Sequence, residues 1–528
     1  MDSVRIPRRH PGQTAGMSYD QGAMEASATG TRSAQTPPAI PVREPATGRV
    51  LREIPSLDAA AVATLAQTAR RVQPEWEAAG FAVRGQIFKT AQKWLIANGD
   101  RFLDTICSET GKTRDDAQLE VALAIQSFSF WPKMAPKYLR DETMRSRGPL
   151  TFMRKVVIRY SPVGLVGVIG PWNYPLVNAF CDAVPALMAG NTVIMKPSEV
   201  TPLSALLAAE MMAECGLPEG VLQVATGGGE TGAAVIDAVD FIMFTGSTRT
   251  GKRVMERAAQ TLTPVSLELG GKDPMIVCAD ADIDRAANAA TYYAMNNGGQ
   301  VCISVERVYV ESSVYEPFVA KVVENVKQLR QGPPAQAGTV EVGAVTFPPQ
   351  LDIIDRHVVD AKERGASVVT GGHRGPGPGD FYEPTVLVDV DHSMACMQEE
   401  TFGPTLPIMR VSSVEEAVAL ANDSEYGLQA SVFTKDMHKG EEIARRLQVG
   451  AVTINDAQIN YSVFDAPMGG WKSSGIGVRH GPAGIRKYCR SQTILFTPLA
   501  PKRDAHMFPY RPWRSRLLGR LIRALYGH

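Results

Sequence analysis

Cys302 sits in NNGGQVCIS (296–304), after polar residues and a glycine pair that leave the chain tight and open around the thiol. A cysteine attacks carbon only as its thiolate, so a working one needs activation by its surroundings. No histidine stands near it in the sequence, which leaves a cysteine–histidine protease pairing without local support. The bland alternative is a small core residue, the usual fate of a free cysteine. Glu268, in SLELGGKDP, poses a similar choice. It is either a buried carboxylate satisfied by loop amides or a general base whose pKa burial has raised.

Three further stretches could hold a phosphate or a ribose. Gly227, Gly229 and Gly232 in ATGGGETG have the G-x-G-x-x-G spacing that lets backbone approach a pyrophosphate. No acidic residue ends a strand about 20 residues later, so an ordinary turn fits equally well. GSTRTGK (246–252) begins like a P-loop, but Arg253 stands where a hydroxyl must hold magnesium, which disfavours phosphoryl transfer. What survives is a strand delivering Gly246 and Ser247 to a helix N-terminus, whose free N–H groups and dipole suit a diphosphate. Lys196 and Glu199 in KPSE end a strand-like run, placed for ribose hydroxyls, with a solvated loop as the alternative. Glu199 would repel a 2′-phosphate, which favours NAD over NADP.

Positioning such groups takes a sheet. VGLVGVIG, NTVIMKP, VLQVAT and FIMFTGS are short apolar runs ending in Gly, Pro or Ser, separated by helical stretches such as PLSALLAAEMMAECG. That alternation predicts a parallel, doubly wound α/β domain. After Glu268 a second series follows: PMIVCA, RVYVES, ASVVTGG, YEPTVLVDV, TLPIMRV and SVFTKD, again between helical stretches. It predicts a second α/β domain. TFMRKVVIRYS and SQTILF stand outside both series and could pair as an oligomerisation arm, while residues 1–38 read as a disordered arm.

Composition narrows the function. The chain has 528 residues, too many for one core, with 44% hydrophobic and 21% charged residues, so it is multidomain and globular. Lys+Arg and Asp+Glu are equal at 55 each, which excludes the global basic field of a nucleic-acid binder. Seven scattered cysteines without a C-x-x-C pair argue against a disulfide framework, and no metal site is expected. The longest apolar runs fall far below the roughly 18 residues of a membrane span, and no apolar segment follows the N-terminal arginines. A cytoplasmic setting is the expectation.

PWNYP (171–175), KPSE (196–199), FTGSTRTGK (244–252), LELGGKDP (267–274), NNGGQVC (296–302), EETFGP (399–404) and PMGGWKSSGIG (467–477) together resemble the aldehyde dehydrogenase superfamily. Their order and spacing match it over roughly residues 40–497. The resemblance implies an NAD-binding domain (39–147 and 161–270), a catalytic domain (271–470), an oligomerisation arm (148–160 and 488–497) and a homodimer or homotetramer. It makes Cys302 the nucleophile, giving a thiohemiacetal and, after hydride leaves to NAD or NADP, a thioester. It makes Asn173, with the Cys302 N–H, the oxyanion hole, and Glu268 the base that activates water. Trp172, Lys196, Ser198, Glu199, Gly229, Gly246, Ser247, Leu269, Glu400 and Phe402 become cofactor contacts, with the 227–229 turn a wall of the adenine pocket. The glycine pair before Cys302 would leave room for nicotinamide and aldehyde. Members that pass the acyl group to coenzyme A lack the Glu, so hydrolysis to the free acid is implied. A non-catalytic descendant would have lost Cys302, Asn173 or Glu268. Many members carry Lys where Asp182 stands, which puts one proton route in doubt.

Succinate-semialdehyde enzymes often place an Arg in the helix after PWNY, and LVNAFCDAVPALM has none, so an aliphatic or aromatic aldehyde is expected. Phe180, Tyr292, Tyr461 and Phe464 are candidate tunnel walls, each equally suited to the core. In the tail (498–528), RSRLLGRLIRALYGH aligns Leu517, Leu518, Leu521, Ile522, Leu525 and Tyr526 beside Arg516, Arg520 and Arg523. Such a basic amphipathic helix suits peripheral membrane contact through residues 511–528, or packing on protein.

Overall fold

The computed structural model describes residues 39–145, 151, 154–500, 502–504 and 507–527. The expected N-terminal arm, residues 1–38, and part of the expected arm strand, 148–150 and 152–153, lie outside the described residues.

Leu165–Ile169, Thr192–Lys196 and Phe241–Thr245 are buried at every position, as apolar runs covered on both faces must be. They form the middle of a six-stranded sheet in the order Gly475–Ile476, Val265–Glu268, Phe241–Thr245, Leu165–Ile169, Thr192–Lys196, Leu222–Val224. All neighbours are parallel except Gly475–Ile476, which runs antiparallel to Val265–Glu268. Helix Ala59–Ala78, capped where Asp58 accepts from the Ala61 N–H at 2.8 Å, buries Val62, Ala66, Ala69 and Trp76 against this unit. The second sheet has seven strands in the order Ser367–Thr370, Thr385–Val388, Thr405–Val411, Arg307–Glu311, Pro274–Val277, Gln429–Phe433, Ala451–Ile454. Only Ser367–Thr370 pairs antiparallel. The architecture is two doubly wound α/β sheets. Val265–Glu268, Ala451–Ile454 and Gly475–Ile476 are strands that periodicity did not pick out, being too short or too glycine-rich to alternate.

Cys489–Phe496 pairs antiparallel with Lys155–Pro162, and Glu142–Arg145 adds a third strand on the other side. Among the described residues, the strands of this small sheet pair with neither of the large ones. Pro512–Tyr526 is a helix none of whose residues is buried. No helix among the described residues is long and apolar enough to cross a membrane.

Candidate active site

In a parallel sheet, side chains at the carboxyl ends of strands face the crevice where ligands bind. Here Lys196 ends one strand, Gly246 follows another, and Glu268 ends a third. They open onto a cavity of about 960 Å³ that Cys302, beyond the strands of this sheet, also lines. Asn173, Glu268 and Cys302 line it, as do Trp172, Lys196, Ser198, Glu199, Gly229, Gly246, Ser247, Leu269, Glu400 and Phe402. The structure thus brings these thirteen residues to one place.

Cys302 follows a turn in which Asn297, Gly298 and Gly299 all have positive φ, of 52°, 64° and 71°. A Cβ on Gly299 would collide with the Gly403 carbonyl. This corrects the expectation that the glycine pair leaves room for reactants: Gly299 leaves room for the loop that carries Phe402 and Gly403. Desolvation pushes the Cys302 thiol up to about 12; Arg479 opposes this, while Asp273, Glu268 and Glu400 add to it. These side chains together do not make a thiolate.

Asn173 is held from several sides. Its Nδ2 donates to the Gln300 carbonyl at 2.8 Å, and its own carbonyl accepts from Lys112 Nζ at 2.8 Å and Asn297 Nδ2 at 3.2 Å. Lys112 is paired at 3.0 Å with Glu120, both side chains fully buried, and Glu120 also accepts the Leu176 and Val177 N–H groups. Those amides open the π-helical turn Leu176–Cys181 behind Asn173, the kind of irregular turn that recurs at functional sites. Sequence reasoning missed Lys112 and Glu120, which carry no motif. Glu120→Ala strands a buried ammonium and is expected to cost about 3–5 kcal/mol, seen as an earlier unfolding transition in a thermal melt.

Glu268 is 3% exposed, and its Oε1 has no hydrogen-bond partner among the described residues. The alternative of a carboxylate satisfied by loop amides does not describe that oxygen. Burial raises its pKa to about 7, against the pull of Arg479 and Lys487 and with a push from Asp182. Asp182, where a Lys was noted as usual, is bonded twice by Arg479, at 3.0 and 2.8 Å. The cations near the base therefore come from residues 479 and 487, which the sequence reading did not select.

Glu400 accepts the Gly271 N–H at 3.0 Å, and burial, with Glu306 nearby, lifts its pKa to about 8. Glu306 accepts from Lys272 at 2.6 Å and from the Thr401 and Phe402 N–H groups, holding Phe402 at a positive φ of 52° with its ring 5.3 Å from Trp172. Lys196 Nζ meets Glu199 at 3.1 Å. Ser247 caps the helix Thr248–Ala259, and Arg249 and Arg253 of that helix line the cavity. The Arg that spoils a P-loop adds positive charge here. A Cβ at Gly228, Gly229 or Gly232 would meet nothing within 4 Å, so bare backbone faces the cavity at the turn, as an approaching dinucleotide requires.

Two of the four candidate tunnel residues are excluded by packing: Phe180 (0% exposed) packs edge-on against Phe128, and Phe464 (4%) at a tilt against Phe130, both inside one hydrophobic core. Tyr461 instead packs with Tyr174 and Cys302 against Val301, Ile303, Leu428 and Met468.

Comparison with known proteins supplies the family. The profile of the aldehyde dehydrogenase family matches residues 31–494. This chain belongs to the aldehyde dehydrogenase family. It is 42% identical over 457 residues to a putative succinate-semialdehyde dehydrogenase [NADP(+)] of Mycolicibacterium smegmatis, covering 86% of this chain and 88% of that one. It is 39% identical over 473 residues to the 4,4'-diapolycopene aldehyde oxidase of a Methylomonas species, covering 88% and 87%. A crystal structure of Mycobacterium tuberculosis aldehyde dehydrogenase complexed with NAD+ superposes with a TM-score of 0.83 at 35% identity, covering 88% and 96%. The enzyme is thus an NAD(P)-dependent aldehyde dehydrogenase.

Proposed function

We propose that this dehydrogenase oxidises an uncharged aliphatic or aromatic aldehyde to its free acid through a thioester on Cys302. The observation that carries this is the meeting of Cys302, the fixed amide of Asn173 and the unpartnered Oε1 of Glu268 on one cavity. The Cys302 sulfur adds to the aldehyde carbon, while Asn173 Nδ2 and the Cys302 N–H donate to the developing alkoxide, each donor contributing a factor of roughly 10² to 10³. Bound NAD(P)+ supplies the hydride acceptor and, in its nicotinamide ring, a positive charge that favours the thiolate which burial disfavours. Glu268 then takes a proton from water; the hydroxyl joins the acyl carbon and the C–S bond breaks, returning the electron pair to Cys302. Lys196 and Glu199 hold the adenosine ribose, Gly246 and Ser247 the diphosphate, and Glu400 and Phe402 the nicotinamide ribose. Glu199 disfavours a 2′-phosphate, so NAD is the preferred form.

Lys112 and Arg479 are buried in ion pairs with Glu120 and Asp182, and of their side-chain nitrogens only Nη1 of Arg479 is left without a hydrogen-bond partner among the described residues. The names of the mycobacterial relatives favour succinate semialdehyde as a second reading. NADH formation from an aldehyde panel containing succinate semialdehyde, hexanal and benzaldehyde, run with NAD and with NADP, separates the two. Best turnover with succinate semialdehyde would overturn the first reading.

The three-stranded arm is the proposed contact of a homodimer or homotetramer, and the C-terminal helix the proposed foot on an anionic membrane. Five arginines lie between residues 511 and 523, and no acidic residue follows Asp504. Trp513, Leu517, Leu521, Ile522 and Leu525 are each about half exposed. A basic helix with an uncovered apolar face is held at such a surface by both charge and burial. Deleting residues 511–528 is expected to abolish co-sedimentation with phosphatidylglycerol vesicles and leave turnover of soluble aldehydes intact. Unchanged sedimentation would sink the idea.

A further inference from the structure

Glu400 and Phe402 line the cavity, while Thr401 between them is sealed inside the protein, 0% exposed. We propose that His357 is a positioning residue for the nicotinamide end of the cofactor: through the Thr401 hydroxyl it holds Glu400 and Phe402 in the pose that grips the ribose. The inference rests on the reading of those two residues as the nicotinamide-ribose contacts.

Every polar group of Thr401 is engaged. Its N–H donates to Glu306 at 3.0 Å, and its carbonyl accepts from Gln350 Nε2 at 2.7 Å. Its hydroxyl meets Lys272 Nζ at 3.1 Å and His357 Nδ1 at 3.1 Å. Lys272 has only protons to give, so the hydroxyl accepts from it and donates its own proton to His357 Nδ1. The imidazole proton then sits on Nε2, which donates to Glu399 at 3.3 Å. This tautomer is the form of the ring in which the Thr401 proton, Nδ1 and Nε2 all find partners. Burial and the charges of Lys272 and Arg356 keep the ring neutral, taking His357 down to about 4 against the pull of Glu399 and Glu306.

The helix Pro349–Glu363 puts His357 where it can do this. Gln350, Ile354 and His357 follow one another at i, i+4 and i+7, so they share one face, and all three are buried. Gln350 takes the Thr401 carbonyl, Ile354 lies where a Cβ on Gly403 would run into it, and His357 takes the Thr401 hydroxyl. One helix face therefore bears the loop from residue 401 to residue 403. That loop carries Phe402 at a positive φ of 52°, a conformation that persists only where its surroundings over-determine it. Glu306 holds the loop by its main chain, and His357 adds the contact that fixes the Thr401 side chain from the helix. Glu399 has a second donor, Arg356 at 2.9 Å, and is half exposed, so it does not depend on His357 alone. Losing the imidazole therefore releases Thr401 first, and with it the residues on either side.

The measurement is calorimetric titration with NAD+ and with ADP, which lacks the nicotinamide ribose. His357→Ala is expected to weaken NAD+ binding about tenfold and to leave ADP binding unchanged. His357→Asn, whose amide oxygen accepts the Thr401 proton, recovers most of the loss. His357→Gln fills more of the space but reaches past Thr401 toward Glu399, and does not. Thr401→Val keeps the shape, removes the hydroxyl and shows the same selective loss, which decides the matter if His357→Ala does not fold. Wild-type NAD+ binding in His357→Ala or in Thr401→Val would overturn the inference. So would equal losses for NAD+ and ADP, or recovery in His357→Gln rather than His357→Asn, since either result would make His357 a packing residue. Unchanged NAD+ binding in Glu400→Ala would instead strike the reading of the ribose contacts.

Discussion

Cys302→Ser is expected to lower NADH formation from every aldehyde by about 10⁴-fold or more, while leaving the fold and dinucleotide binding as they are. The loss is large because the site is hostile to an anion even for a thiol. Burial and the carboxyls of Asp273, Glu268 and Glu400 push Cys302 to about 12. A serine hydroxyl is intrinsically far less acidic, and the same surroundings penalise its alkoxide in the same direction. The fold should not notice, since the position is a part-buried residue against a small cluster with Tyr174 and Tyr461, and sulfur and oxygen differ little in size there. Turnover and cofactor binding, the latter read by tryptophan fluorescence at Trp172, separate the two effects. Activity within a few-fold of wild type would show that some other group makes the covalent bond.

What could be read before folding depends on how far a group's role extends along the chain. Buried parallel strands announce themselves locally, and so do Lys196 and Gly246, because each closes a recognisable run at a strand's carboxyl end. Cys302 could not be judged from nine residues, since its turn is shaped by Gly403, about a hundred residues on. Lys112, Glu120 and Glu306 were invisible for a related reason. Each acts by holding another residue from a distant part of the chain, and an isolated Lys or Glu has the composition of any surface position. Arg479 and Asp182 are separated by 297 residues, and only the fold makes them one buried pair. Phe180 and Phe464 show the opposite error: aromatic residues near a motif invite a ligand reading, and packing assigns these two to the core.

Glu268→Gln is expected to let one equivalent of NADH form quickly and then nearly stop, with steady turnover reduced by about 10² to 10⁴. Acylation needs the sulfur and the oxyanion donors, which the substitution leaves in place, so the burst amplitude stays near one per site. Deacylation needs a proton acceptor for water, which an amide does not provide. The pH dependence carries the sign. With its pKa raised to about 7, Glu268 is protonated below that point, so wild-type acyl-enzyme decay is slow in mild acid and rises as pH passes through 7. The Gln variant lacks that limb. The shape of the site makes the substitution a clean one, because Oε1 has no hydrogen bond to lose and an amide fills the same volume. Stopped-flow absorbance across the pH range tests both halves. A burst followed by wild-type turnover, or an unaltered rising limb, would mean that water is activated elsewhere. Glu400 is then the next carboxyl to try, since it lines the same cavity with a pKa raised to about 8.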